Sequence, residues 1–332
     1  MNADTFAAWL RRQGHRVIRT PNSYWYDAGP RVYQAFPYHW LIAPPDGELR
    51  WLLLRRGIAA LRYSTPLAAP QGMISYHVLL RGPYTLEQLR AQARNGVRRG
   101  LGRFNVERIP FERLAEEGWG LQADTLERQG RSRSMRQAEW QRLCRAAIGL
   151  PGFEAWGALC DGELAGALVA ARVDDTYCVP YALSHARFLR DHVNNALFFA
   201  TSCNLLSCAG VTQIFFTLQS LDAPESVDEF KFRMGLGAVP VRQRVAFHPA
   251  LRPLAGAHSL GLVRSLLARH PGDPLLAKAE GMLHFYNRGR LPLADQEWPA
   301  CLADDRGQPA APVQGTRGAA PRVKGRVPHE TA

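Results

Sequence analysis

The chain has 332 residues, 46 % of them hydrophobic and 21 % charged, enough for one large or two ordinary domains with a substantial core. Its net charge of +12 comes from 38 arginines and only three lysines, Lys231, Lys278 and Lys324. This skew, beside abundant alanine, glycine and proline, has a compositional explanation, so the basicity argues only weakly for an anionic partner. No apolar run approaches the roughly 18–20 residues that cross a bilayer, and no membrane span is expected. The opening MNADTFAAWLRRQG lacks the basic and apolar regions of a secretory signal, which reads as a cytoplasmic protein. The six cysteines form no CxxC pair, and Cys203 and Cys208 are spaced poorly for a shared metal. They read as reduced, buried thiols, with no metal or redox cofactor.

Residues 3–13 read as a short amphipathic helix. Strand-like runs follow at 32–43, 49–54 and 73–80, separated by turn signals such as PPDG at 44–47. The aromatics of this β-rich portion (Tyr24, Trp25, Tyr26, Tyr33, Phe36 and Trp40) read either as core or as the lining of a groove. The stretch 84–104 reads as a helix capped by Thr85, with Leu86, Leu89, Ala93, Val97, Gly100, Leu101 and Phe104 on one face. Gly96 and Gly100 weaken its helix propensity and suggest close approach to a sheet. A strand at 105–109 and helices at 111–129 and 136–148 come next. Asp161-Gly162 marks a tight hairpin inside 153–173, a third strand covers 177–183, and an apolar helix starting near Asn194 ends at Gly210. The β-branched and aromatic run at 211–218 reads as a buried strand. After a loop, Ser226 precedes a short helix with acidic residues Asp228 and Glu229 at its start. Gly235 and Gly237 end it, and 238–245 reads as the last strand. Residues 258–269 and 274–287 read as helices, and the Pro/Gly/Ala/Arg-rich tail from about 302 reads as disordered.

This order of elements resembles the GNAT acyltransferase fold, and the local motifs resemble its FemAB-like branch. They are QARNGVRRGL (92–101), WGALCDGELAGALVAARVDDTYCVPYALS (156–184), NNALFF (194–199) and IFFTLQS…DEFKFRMGLGAVPV (214–241). The resemblance covers roughly residues 92–245. It implies an α/β fold: a GNAT-like, mostly antiparallel sheet flanked by helices, divided as a β-rich N-terminal half at 1–83, a GNAT-like domain at 84–250, a helical extension at 251–300 and a tail at 301–332. The first of these corresponds by position to a degenerate GNAT-like unit. The implied activity is transfer of an acyl or aminoacyl group to an amine of a cell-envelope, peptidoglycan or polysaccharide precursor. The donor would be an acyl-CoA or an aminoacyl-tRNA, which makes tRNA a possible partner. A non-catalytic binding protein on the same fold is the alternative, and a basic RNA-binding protein a third.

In such a site two parallel strands part, here 176–183 and 211–218, and a backbone N–H holds the acyl carbonyl. Tyr181 and Ser184 are then candidate acids and His185 a candidate base, although Tyr181 also reads as core and His185 as a loop cap. Arg190, His192, Asn194 and Asn195 occupy the place of the donor-binding loop, but without the glycines that let backbone amides cradle a pyrophosphate. The asparagines also read as helix caps. Gln219 and Ser220 are candidate hydrogen-bonders to the acceptor. Lys231, in the Phe230-Lys231-x-x-x-Gly235 turn, is a candidate contact for a phosphate or carboxylate. Asp228 and Glu229 read as solvated helix-start residues. Arg94, Arg98, Arg99 and Arg103 read as a solvated helix face, with a phosphate-contacting stripe as the other use.

Overall fold

The computed structural model describes residues 2–55, 57–128, 135–219 and 226–305. Their strands join in one sheet of order β1-β2-β3-β4-β11-β5-β10-β9-β8-β7-β6. In chain order these are β1 Val17–Arg19, β2 Tyr24–Gly29, β3 Val32–Phe36, β4 Ala60–Thr65, β5 Met73–Arg81, β6 Asn105–Ile109, β7 Phe153–Cys160, β8 Glu163–Val173, β9 Thr176–Ser184, β10 Gln213–Leu218 and β11 Gly237–Phe247. The helices are α1 Ala3–Arg12, α2 Asp46–Leu53, α3 Ala91–Arg103, α4 Phe111–Arg128, α5 Gln137–Ala147, α6 Val193–Leu206, α7 Ser226–Arg233, α8 Ala257–Arg269 and α9 Pro274–Arg288.

Only β3·β4 and β9·β10 are parallel, and each pair matches just three residues: Val32–Gln34 with Ala60–Arg62, and Thr176–Cys178 with Gln213–Phe215. Both arise from the same local path, an antiparallel hairpin followed by a helix and then a strand: β2-β3-α2-β4 and β8-β9-α6-β10. The strands that close the two paths are exchanged. β11 lies beside β4, β5 lies beside β10, and β5 and β11 pair antiparallel at the centre. The ladder therefore runs unbroken through both halves.

Side-chain alternation sends each strand's residues to two faces. On the front face Phe36, Leu79, Val169, Cys178 and Phe215 pack under α1, α4 and α5, whose Phe6, Leu114, Leu121 and Trp140 are fully buried. On the back face Val78, Leu168, Tyr177 and Ile214 pack under α3 and α6. Toward the β1 edge, α2 covers the back face at Leu61 and Tyr63, and α9 covers the front face at Ala60 and Val245 through Met282 and Phe285. Each fully buried Leu or Phe contributes about 1.5–3 kcal/mol.

The structure corrects several expected elements. Residues 49–54 belong to helix α2 and not to a strand. Pro45 opens it, Asp46 and Glu48 favour its first turn, and Leu49, Leu52 and Leu53 bury one face at i, i+3, i+4. The strand expected at 32–43 stops at Phe36, because Pro37 has no N–H to continue the ladder. The expected 84–104 helix is interrupted. Thr85 and Gln88 close a capping box around a single turn at Leu86–Gln88, Leu89 is extended, and α3 begins at Ala91. Leu101, expected on the buried face, is exposed. Of the cysteines expected to be buried, Cys301 is exposed and Cys203 and Cys208 are half-buried. The chain also stays packed beyond 300: Leu302 is fully buried beside Trp298 in the back-face core. Residues 306–332, expected to be disordered, lie outside the described residues.

Candidate active site at the parting of two strands

β9 continues to Ser184 and β10 to Leu218, yet their pairing ends at Cys178–Phe215. Both strands are irregular at that point. β9 places Val179 and Pro180 opposite Ala170 alone, and β10 carries an extra residue, Phe216, against β5. Such bulges bend a strand out of the ladder, and Pro180 withholds one N–H. Beyond Phe215, β10 keeps a strand partner only on its β5 side. This opening is the parting expected from the sequence.

The front face beside the opening is polar. Half-buried Tyr181 stands edge-on to Trp140 with ring centroids 5.8 Å apart, and burial pushes its phenol pKa up. The Tyr38 hydroxyl donates to the Tyr26 hydroxyl at 2.9 Å. His39, from the loop after β3, places Nδ1 3.2 Å from Cys178 Sγ, at the last paired residue of β9. His77 of β5 places Nε2 2.8 Å from Ser64 Oγ and its ring edge-on to Phe215 at 5.0 Å. Burial lowers the pKa of His39 to about 4 and of His77 to about 3, so both imidazoles are neutral at pH 7. Next to them Gln243 Nε2 donates to Ser75 Oγ at 2.9 Å and to the Gln219 carbonyl at 3.2 Å, and Arg62 Nη2 donates to the same carbonyl at 2.9 Å. The Gln219 backbone is thereby fixed just past β10. Its side-chain Oε1 is buried and accepts no hydrogen bond, an arrangement that costs about 1–3 kcal/mol until a donor arrives.

At the far end of β9, α4 grips the strand. Thr125 Oγ1 donates to the Ser184 carbonyl at 3.3 Å and accepts from the Ser184 N–H at 3.2 Å. Arg128 donates to the same carbonyl at 3.3 Å and to Ser184 Oγ at 3.4 Å. Asp124 Oδ2 accepts the Ala186 N–H at 2.9 Å and lies 3.2 Å from His185 Nδ1. Burial alone would raise the Asp124 pKa; the Ala186 N–H, His185 and Arg128 together outweigh it and hold the carboxyl low. Ser184 is fully buried and committed to α4, which removes it as a free acid. His185 is partly exposed and oriented by a carboxylate, the arrangement that fixes an imidazole for proton transfer.

The donor-side residues have a different fate. His192, in the left-handed region at φ 63°, and Asn195 meet at the start of α6, and α3 crosses them there. A Cβ on Gly96 would stand 3.0 Å from Asn195 Nδ2, and one on Gly100 only 2.6 Å from the His192 carbonyl. Asn195 Nδ2 also points at Met234 Sδ, 3.3 Å away. Arg190 is exposed and Asn194 half-buried. Neither asparagine caps α6 with its side chain. The two glycines expected to bring α3 close to a sheet instead seat it on α6, at the helix end where a pyrophosphate cradle would lie.

Lys231 is not a mobile point charge. Its Nζ lies 2.6 Å from Asp228 Oδ1, and both side chains are largely buried. Asp228 also accepts from the Tyr76 hydroxyl at 2.9 Å, so it is no solvated helix-start residue. Phe230 anchors the turn edge-on to Phe198. Ser220 lies outside the described residues. Arg98, Arg99 and Arg103 are exposed along α3. Sequence reasoning missed His39, His77 and Asp124. Each is a lone residue without motif spacing: the sheet's long-range pairing brings His39 and His77 to the opening, and packing of α4 on β9 brings Asp124 to His185.

No family model and no curated protein matches the sequence. Solved structures do resemble it. FemX matches with a TM-score of 0.53 at 11 % identity over 75 % of this chain and 92 % of its own. The C-terminal DUF2156 domain of a lysylphosphatidylglycerol synthetase from Agrobacterium fabrum matches with a TM-score of 0.50 at 13 % identity, over 79 % and 91 %. The fold is GNAT-like, of the FemABX type. Likeness at this identity establishes architecture, and the chemistry must come from the residues.

Proposed function

We propose that the protein is an N-acyltransferase that moves an aminoacyl or acyl group from an activated ester or thioester to a primary amine. The observation that supports this most is the opening between β9 and β10, with the unsatisfied Gln219 Oε1 beside it. An amine docked there donates an N–H to Gln219 Oε1. Its nitrogen attacks the donor carbonyl, whose developing negative charge is met by backbone N–H groups at the bulge. The C–N bond forms and the donor's C–O or C–S bond breaks. The amine's proton passes to His185, oriented by Asp124, and from His185 on to the leaving oxygen or sulfur, while the Tyr181 hydroxyl, kept protonated by burial, donates a hydrogen bond to that leaving atom.

On this reading the donor is an aminoacyl-tRNA rather than an acyl-CoA, since α3 occupies the place of a pyrophosphate. FemX and the lysylphosphatidylglycerol synthetase domain direct attention to cell-envelope acceptors, and we take a cytoplasmic cell-envelope precursor as the acceptor. The N-terminal half acts as a degenerate unit that supplies residues to the active one. The closed helix end also favours a second reading, a binding protein that kept the fold and lost the donor. Transfer of a radiolabelled aminoacyl group from tRNA to amine-bearing precursors separates the two. The proposal expects turnover that Asp124→Asn lowers about 10²-fold or more with stability retained. No turnover with any aminoacyl-tRNA, and no thermal shift by charged over uncharged tRNA, would leave the binding reading standing.

A further inference from the structure

Away from the opening, arginines converge on one groove of the front layer. A cavity of about 480 Å³ runs along α5 where α1 ends, lined by Arg12, Ala138, Gln141, Arg142, Arg145 and Ala146, without a carboxylate. On α5, Ala138, Gln141, Arg142 and Arg145 share one arc, opposite the buried Trp140, Leu143 and Ala147. The two helices lie side by side. Trp9 Nε1 donates to the Leu143 carbonyl at 3.1 Å, and Arg12 Nη1 donates to the Ala146 and Ile148 carbonyls at 3.2 and 2.9 Å. Arg142 reaches toward α1, its Nη1 4.0 Å from where a Cβ on Gly14 would stand.

Arginine near a helix C-terminus can serve the helix alone. Arg12 does so, spanning two α5 carbonyls. Arg142 and Arg145 do not: among the described residues neither makes a hydrogen bond or an ion pair. The carboxylates of the surrounding elements are engaged elsewhere. Glu139 accepts the Arg136 N–H at 2.8 Å and pairs with its guanidinium at 2.9 Å. Asp4, at the far end of α1, takes the Tyr24 hydroxyl at 2.7 Å and lies 3.5 Å from Arg19. Asp27 of β2 accepts the Arg16 N–H at 3.0 Å and faces His15 at 2.9 Å. Helix α4, packed on the other flank of α5, adds no residue to the groove. Unpaired guanidinium donors along a concave wall suit phosphate oxygens. On the inner side of α5, Trp140 stands edge-on to Tyr181 beside the opening, so the groove lies one helix diameter, about 10 Å, from it. We infer that the α1–α5 groove holds the phosphate backbone of an RNA strand. On the transfer reading, on which the choice of RNA rests, the strand belongs to the tRNA donor, whose acylated end occupies the opening.

Fluorescence anisotropy of labelled, uncharged tRNA with the full chain tests this without turnover. Combining Arg142→Gln with Arg145→Gln should weaken binding about tenfold or more at roughly 0.1 M salt. It should also lower the slope of log K against log salt by about 1.4 for a single strand or about 1.8 for a duplex. Neither side chain has a partner to lose, so the melting temperature should match the parent's; Arg12 is kept because it caps α5. Arg98→Gln with Arg99→Gln makes the same charge change on exposed positions of α3, on the opposite face, and should shift Kd by less than about twofold. Equal weakening by both pairs overturns the inference, because net charge then explains it. An unchanged Kd in the α5 pair overturns it too. A polyglutamate peptide that binds as tightly as tRNA, and is lost in the α5 pair, overturns it in favour of an acidic protein segment. RNA binding that depends on Arg142 and Arg145, with no transfer from any aminoacyl-tRNA, upholds the groove and refutes the transfer reading instead.

Discussion

Two alanine substitutions in α3 should change stability in opposite directions. Gly102 has nothing within 4 Å of an added Cβ, so Gly102→Ala collects helix propensity alone. Next to the last residue of the helix that gain is about 0.5 kcal/mol, part of the ~1 kcal/mol of an interior site. Gly100→Ala gains the fuller propensity but drives its Cβ to 2.6 Å from the His192 carbonyl and 3.0 Å from the Ala196 Cβ. The first is backbone that already accepts the Ala196 N–H at 3.1 Å, so it cannot swing away as a flexible side chain would. Overpacking of this kind costs about 1–3 kcal/mol. Contact well below the van der Waals limit belongs at the upper end, leaving a net loss near ~2 kcal/mol. In a protein of this size that lowers the melting temperature by about 3 °C, against a rise of about 0.7 °C for Gly102→Ala. Differential scanning fluorimetry resolves the two. If Gly100→Ala raises the melting temperature along with Gly102→Ala, α3 is not seated on the start of α6, and the exclusion of a pyrophosphate there fails with it.

Three other outcomes follow from the buried ion pair, the buried imidazoles and the unsatisfied amide. Lys231→Ala strands the Asp228 carboxylate in a buried site, so it should destabilise by about 3–5 kcal/mol, read as a fall in urea midpoint. An unchanged midpoint would show that Lys231 is solvated and refute its burial against Asp228. His39 and His77 have folded pKa values of about 4 and about 3, below the ordinary 6.5. The unfolded chain therefore binds more protons between those values, and stability is complete above pH 6.5 and lost as pH falls toward 4. The slope approaches about 2.7 kcal/mol per pH unit for two such groups. His77→Gln should roughly halve it in urea titrations between pH 6.5 and 4.5, above the range where Asp124 takes up its proton, and an unaltered slope refutes the assignment. Gln219→Ala removes an unsatisfied acceptor, so thermal stability should hold or rise by up to about 1 kcal/mol while the KM for the amine increases. A loss of stability instead would make Gln219 structural.

Much of the second half is legible from local pattern. The Asp161-Gly162 turn, the apolar run of β10 and the helical periods of α4 and α5 reproduce the element order that led to the GNAT-like reading. Pattern fails where an apolar run has no period. Residues 49–54, LRWLLL, suit a strand or a helix equally, and packing of Leu49, Leu52 and Leu53 against Leu61 and Tyr63 settles it. It fails again at Lys231, because pairing with Asp228 one helical turn away is visible in the sequence but burial is not. The site itself is the least legible part. Gln219 and Tyr181 are found from position along their strands, whereas His39 reaches Cys178 across 139 residues of chain. No local signal carries that, since it depends on β3 entering the same sheet as β9.

The two strand-helix-strand paths explain why one parting stays open as a candidate site and the other does not. In the first half β3 and β4 also part after three pairs, but the chain turns back and fills the gap, with the Ile42 N–H donating to the Ser64 carbonyl at 3.0 Å. Among the described residues no backbone hydrogen bond closes β9 to β10 in the same way beyond Cys178. The loop released by the early end of β3 is the one that carries Tyr38 and His39 to the second opening. Exchange of β5 and β11 ties each half to the closing strand of the other, and two strands separate β4, with Arg62 and Ser64, from β10. A first half with its own open parting would have no loop to spare. On the proposed function, degeneration of one unit and completion of the other are thus one structural event, and separating the halves should remove the polar wall of the site along with the central strands of the sheet.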